Sequence, residues 1–501
     1  MNRINRVIAL VAAGSIGFLS AKGQEAHGEQ VYDLQQSIRI ASDSSLQAFR
    51  SKSLYLSGYW GYKAYKAARL PSLTLNATPI QYRHDIISRY NSDENIDLYR
   101  EQQTLLSRGN LAVKQNLDLT GGTFSIDTDL EHMRNFGERT YTEFTSTPIR
   151  IGYQQSLFGF NNFKWERKIE PLKYKKAQQQ YLYSREEISE TVIQYYFTLA
   201  MAQLEMEMAL SRVASSDTLY QIGMERQKIA SISQEDLLTL KLDAVNARNA
   251  LMNAESSLKR AKFNFLSFLN QEQEQAVKVQ LPKKPENLLI RAEEALWQAR
   301  ENNPDFVDYQ QQILEAERQV EQTRKESNFN ASINASVGFN QVAETFANVY
   351  QNPSQQEIVR IGLTIPLIDW GIRKGRSNMA RYNMNVTKIS VEQRRQSLEQ
   401  DVIMTVNDFN IQQNLIASAE EARELASMAY EVTKSRFIIG KTNLNNMMLS
   451  LERQNTAQRN YINSLRAYWA SLYKLRRLTL YDFETNEPLT TQFDRIERVK
   501  N

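Results

Sequence analysis

Two stretches of this chain carry one plan, 210 residues apart, and no other feature restricts its fold as strongly. In "PIRIGYQQSLFGFNNFKWERK", Arg150-Ile151-Gly152 aligns with Arg360-Ile361-Gly362 of "VRIGLTIPLIDWGIRKGRSNMA". The same shift aligns Arg226 with Arg436 and Ile229 with Ile439. An ungapped register over about 120 residues marks an internal repeat, so one supersecondary unit must serve twice. Upstream, "LTLNAT" at 73–78 resembles "ASINAS" at 331–336 at a shift of 258, which leaves 48 additional residues between the strands of the first half.

The repeated stretch changes period partway. Val359, Ile361, Leu363, Ile365 and Leu367 alternate with Arg360, Gly362, Thr364 and Pro366, the period of a two-faced strand, and from Gly371 the chain reads as a basic helix. Ile333, Ala335, Val337 and Phe339 alternate in the same way with Asn334, Ser336, Gly338 and Asn340. One such strand suits the wall of a membrane barrel, with about ten residues per crossing, but taken alone it suits one face of a soluble sheet better. The alternation predicts strands at about 72–83, 149–158, 331–341 and 358–368. Leu111, Val113 and Leu117, a Thr120-Gly121-Gly122 turn, then Phe124, Ile126 and Leu130 predict a further hairpin at about 110–132, either within the same wall or capping it. The polar stretches 84–109 and 135–147 read as exposed loops.

Helices fill the rest. Only 10 prolines and 18 glycines punctuate 501 residues, so elements are long. Leading helices are expected around 32–68 and, after a hinge with Pro282 and Pro285, around 287–326. From about Asn161 to Ile229 a helix would run roughly 100 Å at ~1.5 Å per residue. After each break a 3-4 seam follows: Leu237, Leu240, Ala244, Ala247, Leu251, Ala254, Leu258, Ala261, Phe265, Phe268 in the first half. Its partner, 210 residues on, is Met447, Ser450, Gln454, Ala457, Tyr461, Ser464, Tyr468, Ser471, Leu475, Leu478. Five heptads with small residues in the seam indicate close left-handed coiled-coil packing. The plan is thus a first repeat at 24–270 with a helical hairpin at 161–270, a linker at 271–290, a second repeat at 291–480 with a helical hairpin at 371–480, and a tail at 481–501.

Several classes are excluded by composition. Lys and Arg (61) nearly balance Asp and Glu (57) and are interspersed with them, which leaves no footprint for nucleic acid. MNRINR, the apolar VIALVAAGSIGFL and small residues up to Gly23 have the three zones of a secretory signal, 1–23. There is no cysteine, and no later segment has the roughly 20 apolar residues of a membrane helix, so contact with lipid must be through strands. His27, His84 and His132 are the only histidines, none at ligand spacing, and no nucleophile motif or phosphate-binding loop is present. The expectation is no enzyme, no metal and no cofactor.

Together these pieces select one architecture. Four to six short strands cannot close a barrel, and an open edge in lipid leaves backbone groups unsatisfied at several kcal/mol each. Subunits must therefore share a barrel, and helices that begin where the strands end would continue it as a hollow bundle. Pro366 cannot donate to a ladder and ends pairing ahead of Asp369 and Gly371, where a helix can start, while Trp370 suits an interfacial aromatic girdle or a core site.

"LTIPLIDWGIRKGRSNMA", "RQKIASISQEDLL" at 226–238 and "RFIIGKTNLNNMM" at 436–448 resemble the TolC family of outer-membrane efflux proteins, over about 32–480. The resemblance implies a homotrimer sharing one outer-membrane β-barrel in a Gram-negative bacterium, a coiled-coil helical tunnel across the periplasm, and a collar from about 271–290 and 479–501. It implies a periplasmic adaptor docked at the helix turns, here Arg226, Ile229, Ala230 and Ser231 with Arg436, Ile439, Gly440 and Lys441, and transport powered by an inner-membrane pump. Some members close the tunnel with acids six and nine residues after the second glycine. Those positions are Asn446 and Leu449 here, and Asp236 holds the sixth position in the first half only, where it reads equally as a helix cap. The competing reading is a structural coiled-coil envelope protein or adhesin, which would need heptads but no lipid-facing strands.

Overall fold

A computed structural model describes residues 30–491 except 92, 94, 137–139, 230–231, 274–275, 284–287 and 328. The expected signal at 1–23, His27, Pro285 and the last ten residues lie outside the described residues.

The chain opens with β1 (Gln30–Tyr32), α1 (Leu34–Ser44) and α2 (Leu46–Ala67), then four strands, β2 (Ser72–Asn91), β3 (Ile96–Asn116), β4 (Thr123–Asn135) and β5 (Tyr141–Ser156). Helices α3 (Asn162–Lys228) and α4 (Gln234–Leu269) follow, then β6 (Val277–Val279), α5 (Ala292–Asn302) and α6 (Pro304–Glu326). Strands β7 (Asn330–Ala343) and β8 (Ser354–Thr364) precede α7 (Ile372–Ile438) and α8 (Leu444–Thr479), and a small hairpin of β9 (Tyr481–Asp482) and β10 (Glu487–Pro488) closes the described chain. The helical hairpins agree residue for residue at the repeat spacing: α3 and α7 start at 162 and 372 and end at 228 and 438, and α4 and α8 start at 234 and 444. Asn270 and Leu480, 210 residues apart, both adopt left-handed backbone at the hairpin ends. No described helix is long and apolar enough to cross a membrane.

Two compact units form. One holds the described parts of Met1–Leu46, Thr191–Pro285 and Ile416–Arg466. In it β1 pairs in parallel with β6, and Tyr196, buried against Tyr32 and Phe265, places its hydroxyl on the Gln280 carbonyl, 3.2 Å from that of Tyr32. Burial pushes the Tyr196 phenol well above its ordinary range, so it stays a neutral donor that ties both short strands to α3. The seam expected on α4 is buried here at Leu240, Ala244, Ala247, Ala254, Ala261 and Phe265. Alanines in that stripe let the neighbouring backbone approach closely.

The other unit holds Gln47–Glu190, Glu286–Leu415 and the described part of Ala467–Asn501. Its helices pack around Tyr55, Leu182, Leu480 and Leu489. Arg476 is anchored between Glu186 at 3.1 Å and Asp482 at 2.7 Å, and Arg477 reaches Glu190 at 2.9 Å. Burial alone would lower the Arg476 pKa, but Glu186 and the other anionic partners outweigh it and hold the guanidinium charged.

This unit also carries one antiparallel six-stranded sheet, in the order β2-β3-β4-β5-β7-β8. The extra hairpin therefore lies within the wall, between β2 and β5, and caps nothing. The stretches expected as loops are largely strand: 84–91 and 96–109 belong to β2 and β3, and 141–147 to β5. Polarity misled there because β2 and β3 pair on to Asn91 and Ile96, past Thr104, where the β3–β4 ladder begins, so this ribbon has no apolar face to advertise. Strand β8 runs 354–364 in place of the expected 358–368, because its partner β7 starts at Asn330, opposite Thr364. Alternation continues to Leu367 without a ladder to join.

Candidate functional site

The turn between α7 and α8 is closed by hydrogen bonds that require a left-handed residue. Gly440 has φ +74°, its N–H donates to the Phe437 carbonyl at 3.0 Å, and the Lys441 N–H donates to the Arg436 carbonyl at 2.9 Å. These two bonds satisfy carbonyls that a helix end leaves unpaired, and glycine reaches the conformation without a Cβ clash. The Ile439 N–H reaches Ser435 at 3.3 Å and its side chain is exposed.

Arg226 seals the same turn from the end of α3. Its Nη2 donates to the Ile438 carbonyl at 2.9 Å and lies 3.4 Å from that of Phe437, with the guanidinium 5.6 Å from the Phe437 ring centre. A cation on the last carbonyls of a helix completes their hydrogen bonding and meets the negative end of its dipole. Beneath it, Leu219, Leu240, Phe437 and Met447 form a buried cluster.

Ile229 is exposed just past α3, and Ala230 and Ser231 lie outside the described residues. Helix α4 begins behind a capping box: the Asp236 N–H donates to Ser233 Oγ at 3.0 Å, and the Ser233 N–H donates to Asp236 Oδ2 at 3.3 Å. In the second half the Asn446 N–H donates to Asn443 Oδ1 at 3.0 Å. Both sixth-position gate candidates thus stand at the third residue of a helix beside its cap. Leu449 is exposed on α8.

At the strand-to-helix junction Asp369 organises the backbone. Its Oδ1 accepts the Gly371 N–H at 3.2 Å, and its Oδ2 accepts the Arg373 N–H at 3.0 Å and Nε at 2.5 Å. The Arg373 side chain, followed by these two backbone N–H groups, holds the Asp369 carboxyl at about 2. Trp370 (φ +53°) and Gly371 (φ +88°) turn the chain, and Trp370 is 93% exposed, which removes the core alternative for it within a single chain. Pro366 lies in the irregular stretch between β8 and α7. Arg373, which also donates to the Ser327 carbonyl at 3.2 Å, was not singled out from sequence; its position four residues after Asp369 on a helix start was the available signal.

The sheet registers sort side chains onto two faces. Asn116, Thr123, Gln154, Asn334 and Arg360 form one cross-strand row, and Lys114, Ser125, Gly152 and Ser336 the next. Ala112, Asp127, Arg150 and Gly338 form a third. The opposite face presents Leu73, Leu75, Leu111, Phe124, Ile126, Ile151, Val337, Ile361 and Leu363, all exposed. Over the part of the sheet that these rows cover, one face is therefore mainly polar, with Ile358 an exception, and the other mainly apolar, as suits a wall between water and lipid. On the polar face Arg150 grips Asp127 at 2.6 Å, and Arg108 reaches Asp129 at 2.8 Å and Glu131 at 3.9 Å. Arg108, Asp129 and Glu131 were not picked out from sequence, although period-two alternation continues through all three. His84 and His132 both sit on strands, His84 beside Glu101 and His132 against Phe144.

Comparisons with known proteins agree with this geometry. Residues 295–479 match the family described as Outer membrane efflux protein. No curated protein matches the chain. Among solved structures, the CmeC outer membrane channel of Campylobacter jejuni aligns with a TM-score of 0.63 at 12% identity, over 92% of this chain and 89% of that one. The outer membrane protein VceC of Vibrio cholerae aligns with a TM-score of 0.61 at 14% identity, over 89% and 95%. The open state of the MtrE outer membrane channel of Neisseria gonorrhoeae gives 0.58 at 13%, over 89% and 88%. Identities this low speak for the fold alone, and the fold spans nearly the whole described chain. Its second half matches the family of outer membrane efflux proteins, and its backbone follows that of outer-membrane channels over nearly the whole described chain.

Proposed function

We propose that three copies of this chain share one transmembrane β-barrel that continues into a helical duct, the exit channel of a tripartite efflux or secretion system in a Gram-negative outer membrane. The observation that carries this reading is the sheet: six strands, apolar on one face, polar on the other, with β2 and β8 each lacking a partner on one side among the described residues. In lipid such edges are untenable, and pairing β2 of one copy with β8 of the next removes them. Three six-stranded sheets supply eighteen strands, within the range of closed outer-membrane barrels. The number three rests on the resemblance to the TolC family.

In this reading the helical hairpins that recur at 210 residues are two copies of one unit, and their turns dock a periplasmic adaptor. Arg226, Ile229, Ala230 and Ser231 would serve in the first turn, and Arg436, Ile439, Gly440 and Lys441 in the second. The segments 271–290 and 481–501 are collar elements, and Trp370 lies near the periplasmic surface of the outer membrane. An inner-membrane pump supplies the energy, and the chain itself performs no chemistry. Heptads alone would serve an adhesin equally well, but a lipid-suited face on six strands has no use in one.

Purification in detergent with mass measurement, followed by planar-bilayer recording, tests the proposal. A trimer with stepwise conductance is expected. Release from membranes by salt alone, or a monomer without conductance, would overturn it.

A further inference from the structure

The polar face of the sheet carries more exposed positive charge than its composition suggests. Row after row holds a cation: Arg360, then Lys114, then Arg150, and two rows further Arg108. Three acids share this region, but two are sequestered. Asp127 and Asp129 have side chains only 10% and 9% exposed, lying under Arg150 (33%) and Arg108 (48%), and Glu131 is drawn toward Arg108. Asn110 Nδ2 also donates to Asp127, at 3.3 Å. Lys114 and Arg360 are exposed and have no ion-pair partner among the described residues. Within these rows solvent therefore meets mainly guanidinium and ammonium groups, with Asp127 and Asp129 behind them, while Glu143 lies on the same face one row beyond Arg108.

We propose that this face is a cationic wall that selects for anionic solutes, those bearing carboxylate, sulfate or phosphate groups. The inference rests on the barrel reading above, which turns the polar face inward and brings three copies of the wall around one water-filled space. Charges of one sign around a confined lumen raise the local concentration of counter-ions, and arginine and lysine offer several donors to oxyanions. Lys114 and Arg360 are the specificity-determining residues, because their charge is not committed to a partner. Arg150 and Arg108 contribute the exposed side of their ion pairs and keep the acids covered.

Planar-bilayer recordings of the full chain at low salt test this, with inositol hexakisphosphate as polyanion and spermine as polycation. The hexakisphosphate is expected to block the wild-type channel and spermine to block it poorly. In Lys114→Glu/Arg360→Glu the hexakisphosphate should need about tenfold higher concentration and spermine correspondingly less. Lys114→Gln/Arg360→Gln should fall between, and since neither residue is paired, both variants are expected to assemble as the wild type does. Raising salt should shrink the difference as charges are screened. Preferential block of the wild type by spermine, or block by both probes that ignores the substitutions, would overturn the cationic wall while leaving the channel standing. Absence of any conductance would overturn the channel reading and the wall with it.

Discussion

Arg226 Nη2 donates to the carbonyl of Ile438 at 2.9 Å, joining the end of the long helix in one half of the chain to the end of its counterpart in the other. The bond is charge-assisted and completes a helix terminus, so Arg226→Ala should loosen the last turn of α7 by about 1 kcal/mol. Hydrogen exchange of the amides at 436–441 reads this directly. Lysine should restore only part of the protection, since it lacks the planar fork that rests on Phe437. Unchanged exchange in the alanine variant would show that the contact does not hold the turn.

Gly440 has room around it, the nearest atom to an added Cβ being Arg226 Nη2 at 3.9 Å, so a substitution there is penalised by φ and not by a clash. Gly440→Ala should cost about 1 kcal/mol, Gly440→Asn less, and Gly440→Pro more because it also removes the N–H given to Phe437. In an export assay the order glycine, asparagine, alanine, proline is expected, with trimer yield constant. A proline variant that exports normally would dismiss the turn as a docking element.

The geometry of Asp236 favours a cap over a gate. Asp236→Ala and Ser233→Ala should each destabilise the start of α4 by about 1 kcal/mol and leave the ionic selectivity of the open channel unchanged. Loss of cation block at the periplasmic end in Asp236→Ala alone would reinstate it as a gate.

Asp369 gives the junction a pH dependence of known sign. Its folded pKa, about 2, lies below the ordinary carboxylate value, so its contribution is complete above about pH 4 and is lost as pH falls through 2. Protection of the first α7 amides should decline across that window in the wild type. In Asp369→Asn that protection should be weaker throughout and show no step, and an identical step in the variant would assign the dependence to another group.

Much of this was legible from the chain. The repeat spacing, read from Arg150 and Arg360, predicted helix starts at 161 and 371, and α3 and α7 begin at 162 and 372. Heptad periodicity likewise gave the buried stripe of α4, because small and apolar residues at fixed spacing leave one packing solution. The ribbon of β2 and β3 was not legible, since strands exposed on both faces lose the alternation that marks them. Nor was the partnership of Arg226 with Ile438, which depends on two segments more than 200 residues apart meeting at one turn. At the junction the place, Pro366 to Gly371, was legible, but the capping carboxylate and Arg373 emerge only once the helix start is fixed in space.

The six strands contributed by each chain have a consequence for the cell. In the proposed trimer, eighteen strands spaced about 4.8 Å apart and tilted about 40° would enclose a backbone cylinder roughly 35 Å across. A permanent hole of that width would defeat the sieving by which an outer membrane keeps bulky toxic compounds out. If such a barrel stands open, impermeability at rest would fall to another part of the molecule, and damage to that closure would be felt first as sensitivity to large solutes.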